Sequence, residues 1–417
     1  MNNSNLYRCG ITVVCCALLT LAGQTAMADA NRFEGLGSVP GGLSTAVALS
    51  SDGTVVAGNL GSPTLGSQGF RWTRDTGTVR IGTFGSSQAQ TTVLGMSGDG
   101  STLVGVAAVA PNGQAFRWTE TYGLQPLPGS AAYAASMDGS VIVGEAQLTP
   151  SSSAAFRWTA LTGLVELGNL SGEDGHGGAR CTSADGLTIA GYSDPFFPVA
   201  SHIEAFSWTP ASLMLGLGWL SGGGTLSIAN AVSADGTVVV GESDSSSGRQ
   251  AFRATVADGM LSLGSESAGF TSTRALAVSA DGSVIVGTAS DGIATQAFIW
   301  TAAGGIRTLR TTLMLDNGLD LSGWTLTDAR GISADGRTIV GNGISPCGRA
   351  QPWIAHLGTT PPCTADFNGD GHTSTQDIFA FLDAWFAGAG TADINHVNCV
   401  DTQDIFDFLA LWFVGCP

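Results

Sequence analysis

Short segments of alternating or continuous apolar residues follow one another along this chain, and turn residues separate them. The stretch 273–309 shows the pattern clearly. Residues 274–279 alternate, 283–287 form an apolar run, and 296–301 and 306–309 are two further strand-like segments. The pair Asp281-Gly282 is a strong hairpin signal between the first two segments. Because each segment is too short to be stable alone, the pattern predicts a unit of four paired strands.

This unit recurs seven times, marked by the phrase Ser-x-Asp-Gly and by a glycine six residues after the aspartate. The aspartates are Asp52, Asp99, Asp138, Asp185, Asp235, Asp281 and Asp335, and the closing glycines are Gly58, Gly105, Gly144, Gly191, Gly241, Gly287 and Gly341. Successive aspartates lie 39 to 54 residues apart. A period of this size indicates a propeller, a solenoid or a linear array.

The third strand of each unit carries two slots, two residues apart. The first slot holds Phe70, Phe116, Phe156, Phe206, Phe252, Phe298 and Trp353. The second slot holds Trp72, Trp118, Trp158, Trp208, Ala254, Trp300 and Ala355. Residues two apart on a strand share a face, so we expect each unit to present this pair to a neighbouring unit.

The phase of the repeat distinguishes a ring from a stack. Residues 33–37 match the fourth strand of a unit, whereas the last unit ends at 352–355, which match a third strand. Pairing these two segments closes a ring and removes the open sheet edges. The sequence therefore predicts a mainly β fold, a seven-bladed β-propeller over residues 29–358 that is closed by an N-terminal strand. A β-solenoid is the alternative.

The seven aspartates have two interpretations. They are either a ring of carboxylates that binds metal or sugar, or seven hairpin turns in which Asp tolerates left-handed geometry and Gly completes the turn. A catalytic site needs different residues that converge from different blades, whereas a turn needs the same residue in each blade. We therefore interpret the aspartates as structural.

Other candidates for catalysis are few. The histidines are five, without metal-ligand spacing between any two of them, and no Gly-x-Ser-x-Gly, zincin or phosphate-loop motif is present. Loop carboxylates occur at Glu173 and Asp174 near His176, and at Asp194 and Glu204 near His202. Two of them could act as acid and base in a glycosidase-like site. Loop carboxylates are more often only solvated, and we predict no catalytic residue.

The charge and the N-terminus indicate the protein's environment. Only 12% of the residues are charged, yet the net charge is −17, which argues against nucleic acid and anionic lipid as partners. Residues 1–28 resemble a secretory signal, with Arg8, the apolar run 11–22 and the cleavage-type sequence 26–28. We expect a secreted protein without a membrane span after cleavage. Five cysteines then remain, and Cys363 and Cys416 are the preferred pair.

The repeat is similar to the extracellular HAF-type repeat family of bacterial secreted proteins. The resemblance is carried by Ser-Ala-Asp-Gly turns and by strands such as Ala115-Phe116-Arg117-Trp118-Thr119. It covers residues 33–357 and implies a repeat architecture without a particular activity.

After a linker at 359–362, residues 363–417 form a second domain. Residues 366–377 fit a twelve-position EF-hand-type loop with oxygen ligands in the order that calcium requires. The predicted ligands are Asp366, Asn368, Asp370, His372 through its carbonyl, Ser374 through water, and Asp377. Apolar residues at 378, 381, 382, 385 and 386 then form one face of a helix.

The same pattern returns 27 residues later, with a helix face at 405, 408, 409, 412 and 413. We expect the two helices to pair and bury their aromatic residues. The second loop keeps Asp393, Asn395, Asp401 and Asp404, but Val397 and Asn398 replace an oxygen ligand and the turn glycine. We therefore predict weaker calcium binding there, or none.

This duplicated loop and helix resembles a type I dockerin. The resemblance implies that loop positions 10 and 11 face a cohesin-like partner, and these are Thr375, Gln376, Thr402 and Gln403. A receptor on the cell surface is an equally good partner. The leading hypothesis is a secreted, non-enzymatic propeller that binds a carbohydrate or protein and docks through a calcium-dependent tail. The alternative is a polysaccharide-active glycoside hydrolase or lyase with the same tail.

Overall fold

The structure is a computed structural model. It describes residues 31–37, 42–62, 66–84, 90–108, 113–149, 152–170, 175–194, 202–264, 269–358, 365, 367–368, 373–394 and 400–414. The predicted signal peptide at 1–28 and the predicted linker at 359–362 lie outside the described residues.

Twenty-eight strands in the described ranges form seven antiparallel sheets of four strands, the blades. Blade 1 is β2 (Leu43–Leu49), β3 (Val55–Ser62), β4 (Gly66–Thr73) and β5 (Gly77–Arg80); blade 2 is β6 (Thr91–Met96), β7 (Thr102–Ala107), β8 (Gln114–Thr119) and β9 (Gly123–Pro126). Blade 3 is β10 (Ala131–Ala135), β11 (Val141–Thr149), β12 (Ser152–Thr159) and β13 (Gly163–Glu166); blade 4 is β14 (His176–Thr182), β15 (Ile189–Asp194), β16 (Glu204–Thr209) and β17 (Leu213–Gly216). Blade 5 is β18 (Ser227–Val232), β19 (Val239–Ser245), β20 (Gly248–Thr255) and β21 (Gly259–Ser262); blade 6 is β22 (Ser272–Val278), β23 (Val284–Ser290), β24 (Thr295–Thr301) and β25 (Gly305–Thr308).

The seventh sheet contains strands from both the beginning and the end of the described propeller region. Its strands are β26 (Thr325–Ile332), β27 (Thr338–Ile344), β28 (Ala350–His356) and, in the fourth position, β1 (Arg32–Gly35). The pairing is antiparallel, with Phe33 opposite Ala355 and Gly35 opposite Trp353. The Phe33 ring also packs edge-on against Trp324, with ring centroids 5.1 Å apart.

The first strands of consecutive blades contact one another around the whole ring, including β26 against β2. The seven-bladed propeller predicted from the sequence is therefore confirmed, and the solenoid alternative is wrong. Because the first strands contact one another around the ring, they lie nearest its axis and form the wall of a central channel.

The hydrophobic core of the propeller lies between the blades. Phe116 and Trp118 of blade 2, for example, pack against Val55, Ala57 and Ile81 of blade 1. The large aromatic ring of the first slot is buried in all seven blades. Each such ring contributes about 1.5–3 kcal/mol by its burial, so the repeated aromatic positions account for much of the adhesion between neighbours.

Helices occur in two places. A helical turn, α1 (Leu309–Thr311), continues into a π-helical turn at Thr312–Asp316 between blades 6 and 7. The C-terminal region contains α2 (Thr375–Phe386), a 3-10 turn (Gly390–Ala392) and α3 (Thr402–Val414). No described helix has both the length and the apolar composition that crossing a membrane would require.

Candidate functional site

The two ends of the propeller differ in their loops. The Ser-x-Asp-Gly turns join the first and second strands of each blade, so all seven lie at one end, which we call the turn end. The connections between second and third strands, and those between blades, lie at the opposite end, the loop end. These connections vary in length and sequence, whereas the turns repeat, so the loop end is where this chain carries individual chemistry.

In every Ser-x-Asp-Gly turn the serine hydroxyl donates to the aspartate Oδ1 at 2.5–2.9 Å. The same oxygen accepts the backbone N–H two residues further on at 2.9–3.0 Å. Hydrogen bonds from Ser279 and Ser283 thereby lower the pKa of Asp281 to about 2. These carboxylates hold the turns together locally.

One detail of the turn prediction is wrong. Left-handed backbone falls on the glycine and not on the aspartate, since Leu213 is the one non-glycine residue with positive φ among the described residues. The reason is that the connection is longer than a two-residue hairpin. In blade 1 it spans residues 50–54 between β2 and β3, so the aspartate can keep an ordinary conformation.

The turns are also linked to one another. Backbone N–H groups donate to the carbonyl of the next turn, from Ser51 to Gly98, Asp99 to Met137, Met137 to Ala184, Ala184 to Ala234, Ala234 to Ala280, Ala280 to Ala334 and Ala334 to Ser51, at 2.7–3.0 Å. These seven bonds form a closed circuit around the axis. The turn end is therefore a uniform structural ring.

The channel wall is shaped by a β-bulge in each first strand, opposite the closing glycine. At Gly241, for example, a Cβ atom would lie 1.9 Å from the Ile228 carbonyl oxygen, so a side chain does not fit. The bulged residues are Val47, Leu94, Tyr133, Arg180, Asn230, Leu276 and Arg330. The backbone repeats here, but five different residue types occupy the seven positions.

Blades 3 and 4 bring together a cluster of two tyrosines, a glutamate and an arginine. The hydroxyls of Tyr133 and Tyr192 donate to Glu145 Oε2 at 3.0 and 3.3 Å. The Arg180 guanidinium lies 5.3 Å from the centroid of the Tyr192 ring and 6.0 Å from that of Tyr133. Burial and the charge of Glu145 raise the pKa of Tyr192 to about 12, so both hydroxyls remain donors.

The other arginines on the first strands have acidic partners. Arg274 Nε lies 3.0 Å from Oε2 of Glu242, a side chain that is almost fully buried. Arg330 Nε lies 3.0 Å from Asp328 Oδ2. By contrast, no carboxylate in the described part of the chain lies within 4 Å of Arg180.

Of the predicted loop carboxylates, the structure describes Asp194 and Glu204, and these two project from opposite faces of blade 4. Glu204 is opposite Ser193 in the ladder, so Asp194, one residue further, projects from the other face of the blade. Glu204 Oε1 accepts the N–H of Gly218 at 3.0 Å. Glu173 and Asp174 lie outside the described residues.

Asp194 is opposite His176 in the ladder of blade 4, and Ser153 Oγ of blade 3 lies 3.2 Å from His176 Nδ1. The sequence did not suggest this grouping, because Ser153 comes from the preceding blade. Ser153 is only 1% exposed, so its hydroxyl cannot reach a substrate in this arrangement.

A shallow surface cavity of about 450 Å³ lies at the loop end of blade 5, lined by the connection before β18 and by residues of β19 and β20. Its polar lining is internally paired. Asp244 accepts hydrogen bonds from Thr225 Oγ1 at 2.6 Å and from Arg249 Nε at 3.3 Å.

In the C-terminal region the two repeats form a nearly symmetric pair. The rings of Phe381 and Phe408 are buried and stacked, with centroids 4.3 Å apart. Trp385 Nε1 donates to the Asp401 carbonyl at 2.7 Å, and Trp412 Nε1 donates to the Ser374 carbonyl at 2.9 Å. Each helix thus holds, through its tryptophan hydrogen bond, the loop that precedes the other helix.

The last loop position holds a fully buried aspartate in both repeats, Asp377 and Asp404. Asp377 accepts the N–H groups of Asn368 at 3.1 Å and Ser374 at 2.7 Å. Asp404 accepts those of Ile394 and Asp401, both at 2.8 Å. Burial alone would raise the pKa of Asp377, but the backbone hydrogen bonds hold it below its usual value.

The donor chemistry of the first loop fits a hard cation. Residues 363–417 contain eight aspartates and no lysine or arginine, so this region supplies no lysine or arginine of its own to pair with these oxygens. Asn368, Ser374 and Asp377 are held close together by hydrogen bonds. Asp366, Asp370 and His372 of the first loop and Asn395 of the second lie outside the described residues, whereas Asp393 and Asp401 are described.

One prediction about the helices is wrong in part. Phe381 and Phe408 are buried as expected, but Phe386 and Phe413 are 77% and 79% exposed. Both are at the end of their helix, beyond the contact with the partner helix, and each packs edge-on against the preceding tryptophan. Phe379 and Phe406 are exposed as well.

The predicted partner residues Thr375, Gln376, Thr402 and Gln403 are all exposed, in the first turns of α2 and α3. Among the cysteines, Cys181 is buried and free, and Cys347 is exposed and free. The predicted partners Cys363 and Cys416, and also Cys399, lie outside the described residues.

No protein-family model and no curated protein matches the sequence of this chain. In structure it is similar to an oligogalacturonate lyase solved in complex with manganese, with a TM-score of 0.51, 14% identity, and coverage of 80% of this chain and 95% of the lyase. The propeller domain of the Trilobed protease from Pyrococcus furiosus gives a TM-score of 0.49 at 8% identity over 76% of this chain and 95% of that domain. TolB from Acinetobacter baumannii gives 0.43 at 14% identity over 65% of this chain, which spans only 63% of that TolB. At such identities the likeness concerns the fold alone.

Proposed function

We propose that this chain is a secreted, non-enzymatic propeller scaffold that binds a ligand at its loop end and docks through a calcium-dependent C-terminal module. The secretion proposal rests on the signal-like residues 1–28. The scaffold proposal rests on the contrast between a uniform turn end and a loop end whose side chains differ from blade to blade.

We propose that the N-terminal strand closes the ring. Its support is the pairing of β1 with β28 and the independent hydrogen bond from Ala334 N–H to the Ser51 carbonyl, 2.8 Å long, at the other end of the blades. Together they leave no free edge at this junction. A closed ring gives the loop end a rigid base.

The observation that carries the docking proposal is the symmetric pair of buried aspartates, Asp377 and Asp404, each of which gathers the backbone of its own loop. We propose that the first loop holds calcium through Asp366, Asn368, Asp370, the His372 carbonyl, Ser374 through water, and Asp377. Calcium bound there would neutralise the negative charge of the loop aspartates. The second loop, with Asp393, Asn395, Asp401 and Asp404, binds more weakly or not at all.

We infer that the module is dockerin-like and that its partner is a cohesin-like or cell-surface protein. Thr375, Gln376, Thr402 and Gln403 are exposed beside Phe379 and Phe406. Such a surface combines hydrogen-bonding groups with aromatic area, as protein interfaces do. The HAF-type resemblance of the repeats agrees with an extracellular scaffold.

Thermal unfolding of the full chain, followed by far-UV circular dichroism with calcium and with a chelator, tests the docking proposal. We expect the helical transition to rise with calcium, since a ligand at about 100 times its Kd adds about 2.7 kcal/mol. The β transition of the propeller should stay in place and serves as the internal control. If calcium moves neither transition, the calcium proposal is wrong.

A further inference from the structure

Among the described residues of the channel wall, one arginine has no acidic partner within 4 Å. Arg180 projects from the bulge of β14 and is exposed, whereas Arg274 and Arg330, on the first strands of blades 6 and 7, have carboxylates at 3.0 Å. An arginine presents five N–H donors in a planar fork. None of them donates to a described residue.

The Arg180 guanidinium is held in position although no described residue accepts a hydrogen bond from it. The guanidinium lies against the rings of Tyr192 and Tyr133, a cation–π arrangement that restricts its plane. The tyrosines are fixed in turn by their shared bond to Glu145 Oε2. A preorganised fork loses little conformational freedom when it binds a planar anion.

Glu145 adds a second recognition element. Both tyrosines use Oε2, so Oε1 receives no hydrogen bond from the described residues and can accept one from a ligand hydroxyl. A ligand that satisfies both groups needs a carboxylate for Arg180 and a hydroxyl for Glu145. Carboxylate and guanidinium form bidentate pairs, which are stronger than neutral hydrogen bonds.

We propose that the channel between blades 3 and 4 binds a hydroxylated carboxylate of the uronic acid class, with Arg180 on the carboxylate and Glu145 on a hydroxyl. This inference rests on the proposed ligand-binding role of the propeller and names the class of ligand. The net charge of −17 opposes anions at long range, so recognition depends on this local pair.

The test is isothermal titration of the full chain with D-glucuronate, D-glucose and sulfate. We expect binding of glucuronate, with glucose and sulfate each at least tenfold weaker. Arg180→Gln should weaken glucuronate binding at least tenfold, and Arg180→Lys, which keeps the charge but loses the fork, severalfold. Arg80→Gln is the matched control, because Arg80 is exposed on the outer strand β5 and bonds only to Gln68; it should bind like the wild type.

The proposal is overturned if glucuronate does not bind, if sulfate binds as tightly, or if both Arg180 variants bind as the wild type does. Near-UV circular dichroism of Arg180→Lys confirms that the variant is folded. The calcium response of the same samples separates this inference from the docking proposal: loss of glucuronate binding with an intact calcium response bears on the channel alone.

Discussion

The propeller and the C-terminal module both repeat an aspartate, yet the two sets of aspartates are placed differently. In the propeller, Asp281 is exposed and satisfied within its own turn by Ser279 and Ser283. In the module, Asp377 and Asp404 are fully buried and hold loop backbone that comes before them in the chain. Repetition alone therefore does not indicate function. Two properties distinguish a turn aspartate from one at a candidate ion site. They are the burial of the carboxylate and the distance along the chain to the backbone groups that donate hydrogen bonds to it.

The largest effect should come from the interface between blades. Phe116→Ala removes a fully buried ring between blades 1 and 2 and should lower the free energy of unfolding of the propeller by about 3–5 kcal/mol. Phe413→Ala removes a ring that is 79% exposed and should change stability by no more than about 0.5 kcal/mol. Urea unfolding of both variants measures the difference. Equal effects would contradict the assignment of the core to the blade interfaces.

A smaller effect should come from the bulges. Gly241→Ala places a Cβ atom 1.9 Å from the Ile228 carbonyl oxygen and should cost about 2–3 kcal/mol, as overpacking does. The matched control is Gly259→Ala, where φ is +67° and no atom lies within 4 Å, so only the backbone preference is lost, about 1 kcal/mol. Urea midpoints again give the comparison. A milder loss at Gly241 than at Gly259 would refute the steric account.

The smallest effect should be the acid sensitivity of the turns. The folded pKa of Asp281 is about 2, below the unfolded value of about 3.9. The turn carboxylate therefore stabilises the fold above the unfolded pKa, and this contribution is lost as the pH falls through the folded pKa. The urea midpoint of the propeller should fall between about pH 4 and about pH 2, and less steeply in Asp281→Asn. A midpoint independent of pH in this range would contradict the role of the turns.

The sequence predicted the fold because the fold depends on local and repeated signals. The Asp-Gly turns and the alternating apolar residues around Phe298 can be recognised within the sequence of a single blade. The Arg180 cluster was not predictable, since its four members come from four strands of two blades and no spacing relates Tyr133 to Tyr192. The grouping of Ser153 with His176 was missed for the same reason.

In the C-terminal module the 27-residue period could be predicted from the sequence, but the extent of the contact between the two helices could not. Phe386 and Phe413 continue the apolar face, yet they lie outside the aromatic cluster between the helices and remain exposed.

The most direct test of the contrast between the two sets of aspartates is isothermal titration of calcium into the full chain and two variants. We predict calcium binding by the wild type, at least tenfold weaker binding by Asp377→Asn, and wild-type binding by Asp281→Asn. No calcium binding by the wild type, or the same loss in Asp281→Asn as in Asp377→Asn, would contradict the account.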